Sequence, residues 1–123
     1  MFEYNFMKNS WELILSEDGS QPVPRAGHTM VAFDNFLGIF GGSDEDNNKL
    51  NDLWIFDTKI RKWNEVKGAK GPTPQARCGH SASMNGSMMV IFGGLFEVTH
   101  ETNDVVGFDF KGREWIEIKK ENL

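Results

Sequence analysis

The 123-residue chain has a single cysteine, Cys78, so no internal disulfide can form. A reducing compartment is the simplest setting for such a sequence, and the cytoplasm is the expected location. Long apolar runs are missing as well. The longest, Met88-Met89-Val90-Ile91-Phe92, falls far short of the roughly 18 residues a spanning helix needs, so no membrane segment is expected. The opening Met1-Phe2-Glu3-Tyr4-Asn5-Phe6 shows no basic stretch ahead of an apolar core, and hence no visible secretory signal. Clustered basic charge is scarce. The formal net charge is −5, and the densest basic group is Lys59-Ile60-Arg61-Lys62, which disfavours nucleic acid as a partner because phosphate binding rests on grouped Lys and Arg.

Catalytic signatures are equally scarce. There is no Gly-x-Ser-x-Gly elbow, no phosphate-cradling glycine loop with lysine and no Cys-x-x-Cys pair. The stretch Asp44-Glu45-Asp46-Asn47-Asn48 has Lys49 at the sixth position of a calcium loop in place of Gly, and Ile55 at the twelfth in place of Glu. No metal, no cofactor and no enzymatic activity are therefore expected.

What the chain does have is glycine and repetition. Thirteen glycines and clustered turn residues suit many short strands, and 39% hydrophobic with 12% aromatic residues is ordinary for a folded domain. Trp11, Trp63 and Trp115 are evenly spaced by 52 residues (63 − 11 = 115 − 63). The same shift lays Arg25 on Arg77, His28 on His80, Gly41-Gly42 on Gly93-Gly94, Asn51-Asp52 on Asn103-Asp104 and Asp57 on Asp109. A period near 50 residues points to a repeated four-stranded unit rather than a helical array.

Within one repeat the sequence predicts strand A over Ala26–Phe33, following the breaker-rich Asp18–Pro24. A turn at Asp34-Asn35 leads to strand B at Phe36–Phe40, which ends at Gly41-Gly42. Such a pair admits positive φ and lets a ring lie on the backbone. Strand C follows at Leu53–Phe56, Asp57 caps the next turn, and strand D runs from Trp63 to Val66. The second repeat replays this from Arg77 to Lys119, with strand B at Met88–Phe92 and strand C at Val105–Phe108. Phe2, Tyr4 and Asn5 align with Trp54, Phe56 and Asp57, so the chain opens in strand C of an earlier unit. The predicted organisation is residues 1–16 as two outer strands of one unit, 17–66 as a complete unit and 67–123 as another. Trp11, Trp63 and Trp115 are expected to pack between sheets, and His28 and His80 to be buried and satisfied by local hydrogen bonds.

These residues resemble the kelch repeat: Arg25-Ala26-Gly27-His28-Thr29 and Arg77-Cys78-Gly79-His80-Ser81 opening strand A, the glycine pairs closing strand B, Asn51–Asp57 and Asn103–Asp109 through strand C, and a Trp opening strand D. The resemblance implies an all-β fold, a partial kelch-type β-propeller whose four-stranded antiparallel blades stack around an axis with strand A innermost. Two departures stand out. Val106 replaces the aromatic at Trp54, and Gly107 is expected to loosen the last strand C. Propellers close with about 4–8 blades, more than this chain supplies. The open faces are expected to be covered by the remaining blades of a longer chain or by self-association.

Function of such a scaffold is expected at one rim, formed by the segments leading into strand A (Glu17–Pro24 and Lys67–Ala76) and the B–C loops (Ser43–Leu50 and Leu95–Thr102). The candidate partner-binding residues are Arg25, Arg77, Asp44, Asp46, Glu97 and His100. In kelch substrate adaptors, arginines at positions matching Arg25 and Arg77 line a central pocket and bind acidic peptides, as a guanidinium can grip a carboxylate through two hydrogen bonds. The competing expectation is that both arginines pair with acidic neighbours such as Asp44 or Asp46 and only stabilise the rim. A copper oxidase on this scaffold uses tyrosine, cysteine and histidine ligands, but Tyr4 and Cys78 lie too far apart in the register to assemble them. The function expected is a scaffold or adaptor surface for a protein or peptide. The alternatives are a purely structural segment of a larger propeller, or part of an enzyme whose catalytic residues lie on absent blades.

Overall fold

A computed structural model describes residues 1–16, 18–97 and 100–118. Glu17 at the start of one rim segment, residues 98 and 99 of a B–C loop, and residues 119–123 at the end of the second repeat lie outside the described residues. The described residues form β-strands and turns with no helix. Strands β1 (Phe2–Asn5) and β2 (Ser10–Leu13) pair as a two-stranded antiparallel ribbon. Strands β3 (Thr29–Phe33), β4 (Phe36–Phe40), β5 (Leu53–Asp57) and β6 (Lys62–Glu65) form a four-stranded antiparallel sheet in sequence order. The second sheet uses β7 (Ser81–Asn85), β8 (Met88–Phe92), β11 (Val105–Asp109) and β12 (Glu114–Ile118) in the same order. A small hairpin, β9 (Leu95–Glu97) with β10 (His100–Glu101), is inserted between B and C of this second blade.

The repeat is carried down to backbone angles. Asn9, Arg61 and Arg113, one register step apart, all adopt positive φ (52°, 57° and 51°) in the turn between strands C and D. The preceding residue type explains the turn: Asn5 Oδ1 accepts the N–H groups of Met7 and Lys8, Asp57 Oδ1 those of Lys59 and Ile60, and Asp109 Oδ1 that of Lys111. Strand A is shorter than predicted. Residues 25–28 run outside the ladder because Ala26 pairs with Ser43 of the B–C loop and Gly27 takes φ 71°. Gly107 does not loosen its strand, since β11 keeps five paired positions on each side. A Cβ at Gly107 would come within 2.8 Å of Met88 Sδ, so the missing side chain makes room for that methionine.

The two complete sheets bury a common core of Val31, Phe40, Leu53, Met89, Ile91, Val106, Phe108 and Trp115. Phe40, at the end of strand B in the first blade, is fully buried between two rings of the second, Trp115 at 5.3 Å and His80 at 5.4 Å. His80 Nε2 shares a hydrogen bond with Thr29 Oγ1 across the same boundary at 2.8 Å. Close approach depends on Gly41. It has φ 68°, and a Cβ there would sit 2.8 Å from both the Arg77 carbonyl and His80 Cε1. Trp63 is buried in the same way at the other boundary, with Ile14, Ile39 and Phe56.

Two landmarks differ from expectation in burial, and His80, though buried, bonds through Nε2 to Thr29 of the neighbouring blade instead of being satisfied locally. Trp11 is 69% exposed, and His28 is exposed as well. Trp115 and His80 are covered because the first blade lies against them; among the described residues no sheet lies against the equivalent face of β1–β2, nor do inner strands pair with β1 to cover His28.

Burial, with the Arg77 charge as a lesser cause, lowers the His80 pKa from 6.5 to about 4. In the unfolded chain the imidazole takes up a proton near pH 6.5, while in the folded state it stays neutral to about pH 4. Stability from this group is therefore complete above pH 6.5 and declines as pH falls toward 4, by on the order of 3 kcal/mol. Urea unfolding of wild type should weaken over that window, and His80→Gln should show a flatter profile; parallel profiles would exclude this role. As a reference outside the glycine pairs, Gly68→Ala meets only the positive-φ penalty, since nothing lies within 4 Å of its added Cβ, and should cost about 1–2 kcal/mol. Gly41→Ala should cost clearly more in the same unfolding assay, and equal losses would contradict the close approach.

Candidate functional site: the loop rim

The rim is built from segments that leave the sheets at the strand A end. Their positions are fixed by backbone bonds between blades: Gly42 N–H donates to the Arg77 carbonyl at 2.8 Å, Arg77 N–H to Leu50 at 3.0 Å, and Gly79 N–H to Gly27 at 2.9 Å. The arginines complete the frame. Arg77 Nη1 and Nη2 donate to Asp104 Oδ1 and Oδ2 at 2.6 and 2.9 Å, Nη1 also to the Gly93 carbonyl, and Nε to the Gln75 carbonyl. Arg25 repeats the pattern with Asp52, Gly41 and Val23. Each guanidinium thus spends four of its five N–H donors inside the fold. The Arg25 and Arg77 side chains are 3% and 1% exposed.

The partners are Asp52 and Asp104, not Asp44 or Asp46. Asp44 lies in its own loop and accepts the N–H groups of Asp46 and Asn48 and the Asn48 side-chain amide. The Arg77 hydrogen bonds hold the Asp104 carboxyl below its ordinary pKa against the opposing effect of burial. Burial alone would raise the Asp52 carboxyl, but Arg25 and the Trp54 indole N–H, 2.9 Å away, outweigh it and hold the pKa low. The signal for both pairs was present in the sequence, because Arg25 and Asp52 recur together as Arg77 and Asp104 at the same separation.

Between the B–C loop of the first blade and the β9–β10 hairpin of the second lies an open cleft of about 450 Å³. Its walls carry Asn47, Asn48 and Lys49 on one side and Phe96 and Glu97 on the other, with Gln75 at the floor segment. Phe96 stacks on His100 with centroids 5.3 Å apart and planes at 27°, and His100 Nδ1 lies 2.8 Å from Glu97 Oε2. Of the expected site residues, the fold places Glu97 and His100 together on the hairpin and Asp44 and Asp46 on the facing loop. Arg25 and Arg77 lie beneath, within the frame. Phe96, Gln75 and the amides of Asn47 and Asn48 were not singled out as binding residues because they do not recur with the period. No group of three or more His, Cys, Asp or Glu residues among those described is arranged to hold a metal ion, and the described residues hold no helix long and apolar enough to cross a membrane.

Comparison with known proteins gives a consistent result. A family model described as the KLHDC2/KLHL20/DRC7 Kelch-repeats domain matches residues 1–122. A leucine-zipper-like transcriptional regulator 1 homolog of Drosophila melanogaster is 34% identical over 122 residues, which is 98% of this chain and 12% of that protein. Kelch domain-containing protein 3 of Mus musculus is 34% identical over 95 residues, 76% of this chain and 25% of that protein. A probable serine/threonine-protein kinase of Dictyostelium discoideum is 38% identical over 85 residues, 68% of this chain and 6% of that protein. The chain thus spans a quarter or less of the length of these relatives.

Asp104→Ala would strand a guanidinium that is almost wholly buried and should cost about 3–5 kcal/mol. Arg77→Ala leaves a carboxylate whose side chain is 37% exposed and can be hydrated, so the loss should be smaller. Denaturant unfolding of the two variants measures the difference, and losses below about 1 kcal/mol for both would remove the frame from the account.

Proposed function

This chain belongs to the kelch-repeat family, and we propose that it serves as a protein-interaction module, binding a protein or peptide partner along its loop rim in the manner of a scaffold or adaptor. The observation that carries this reading is the cleft between the two blades, because its walls come from the two segments that diverge between otherwise matching repeats. A rigid frame below and variable loops above is the arrangement by which repeat scaffolds recognise partners. Recognition energy would come from a few anchors. Phe96 offers a ring, Asn47, Asn48 and Gln75 offer amides suited to a peptide backbone, and Glu97 offers charge.

The partner chemistry follows from the charge that remains available. With the arginine donors committed to Asp52 and Asp104, the side chains facing outward include Glu45, Asp46, Glu97 and Glu101, all exposed. A segment bearing basic side chains fits this rim better than an acidic one. Arg25 and Arg77 contribute from below by holding the loops that carry the anchors. An intracellular setting belongs to the same proposal and rests on the lone Cys78.

Selection of peptides from a random display library on the purified chain tests the reading. Enriched peptides should carry Lys or Arg and lose at least about ten-fold in affinity, roughly 1.4 kcal/mol, to the double variant Phe96→Ala, Glu97→Lys with melting unchanged. Enrichment of nothing, or binding indifferent to that variant, would contradict it.

A further inference from the structure

Successive strands alternate in direction, so the A–B and C–D turns leave each sheet together, at the end far from the rim. There, between the two complete blades, lies a pocket of about 430 Å³. Its floor is Phe36, Ile55 and Val66 of the first blade, and its wall is Phe110 from the C–D turn of the second. Phe110 stacks on Phe33 with centroids 5.5 Å apart and planes at 28°. It reaches in because strand B has a glycine there: a Cβ on Gly38 would lie 2.9 Å from Phe110 Cζ. The pocket is also lined by Asn64 and Arg113, both exposed.

The neighbouring boundary shows what Arg113 is suited to hold. One register step earlier stands Arg61, whose Nη1 lies 3.3 Å from Glu3 Oε2 of the β1–β2 ribbon. One register step after Glu3 stands Ile55 (55 − 3 = 113 − 61 = 52). The same turn arginine, with the same positive φ, thus meets a carboxylate at one boundary and an apolar floor at the other. Among the described residues the Arg113 guanidinium makes no hydrogen bond or ion pair. The two carboxylates that line the pocket are engaged elsewhere. Asp57 Oδ1 accepts the Asn35 amide and the N–H groups of Lys59 and Ile60, and Glu65 pairs with Lys67 Nζ at 3.2 Å. The apolar wall is specific to this boundary too, since Phe110 stands where the earlier C–D turn has Thr58.

We propose that this pocket binds a partner protein through a short segment in which an acidic side chain adjoins an aromatic one. The ring enters beside Phe36 and Phe110, and the carboxylate reaches Arg113 in the place that Glu3 takes for Arg61. Offset ring contacts hold the first group and a charge-assisted hydrogen bond the second. Lys59 and Lys111, exposed on the same two turns, favour a negative segment, and the exposed Asn64 amide suits a peptide main chain. The site is independent of the rim reading: it uses neither the B–C loops nor the cleft between them, and it calls for a partner of the opposite charge.

NMR titration of the isotope-labelled 123-residue chain with the blocked tetrapeptide acetyl-Gly-Trp-Glu-Gly-amide tests it. Saturable shifts should appear at the amides of Ile55, Val66 and Phe110. Replacing Glu by Gln in the probe, or Arg113→Ala in the chain, should each weaken binding at least about ten-fold. Ile55→Glu, which gives Arg113 a carboxylate from the chain itself, should abolish binding. Arg113 is exposed, so Arg113→Ala keeps the fold and decides the matter should Ile55→Glu fail to fold. Absence of shifts at those amides, or binding indifferent to the Gln probe or to Arg113→Ala, would overturn the proposal. Equally tight binding of indole-3-propionate would overturn it as well, by making the pocket a site for small acids.

Discussion

A four-stranded sheet must hide its apolar face against another element, and with no helix among the described residues the contact of Phe40 with Trp115 and His80 is where this chain meets that requirement. The ring of Phe40 sits at the end of strand B, immediately before Gly41, so the backbone beside it must turn with positive φ and leave space for the imidazole of the following blade. The glycine pair, the histidine and the tryptophan therefore recur together because they are parts of one joint. Thr29 and His80 add a polar bond across it, and the Arg77–Asp104 pair fixes the adjoining loops. Removing the joint would leave two sheets each too thin to bury its own core.

The joint also accounts for what the sequence could reveal. Residues tied to the scaffold recur every 52 positions, so the strands, the glycine pairs, the Asp-capped turns and the burial of Trp63 and Trp115 were all legible from spacing. Trp11 and His28 share that spacing yet are exposed, because periodicity records a residue's place in a blade and not whether a neighbour covers it. The Arg–Asp pairs were within reach, since both members repeat in step. The sequence instead suggested acidic neighbours such as Asp44 and Asp46, which are nearer to Arg25 along the chain than Asp52 is, but the Asp44 carboxylate is spent on its own loop. The β9–β10 hairpin repeats the backbone of the first-blade loop, its Leu95–Glu101 pairing matching the Ser43–Lys49 bridge one register step earlier, but the side chains differ between the two loops, so Phe96 left no periodic trace.

This division between repeating frame and diverging loop bears on function. Buried ion pairs and interblade backbone bonds hold the bases of the loops, so the tips can vary without disturbing the sheets. Kelch domains carry many unrelated tasks on this frame, and the fold alone does not choose among them. What distinguishes this chain is the pairing of an amide-lined cleft with the aromatic ring of Phe96, and a second-blade face that is polar on its inner strand and apolar farther out.

The dependence of the whole on one joint is open to direct measurement by a double-mutant cycle between Phe40 and Trp115, using Phe40→Leu, Trp115→Leu and the double variant in equilibrium unfolding. Rings packed across a blade boundary should show a coupling of about 0.5–1.5 kcal/mol. Strictly additive losses would mean that the two residues do not touch and that the sheets do not stack as described.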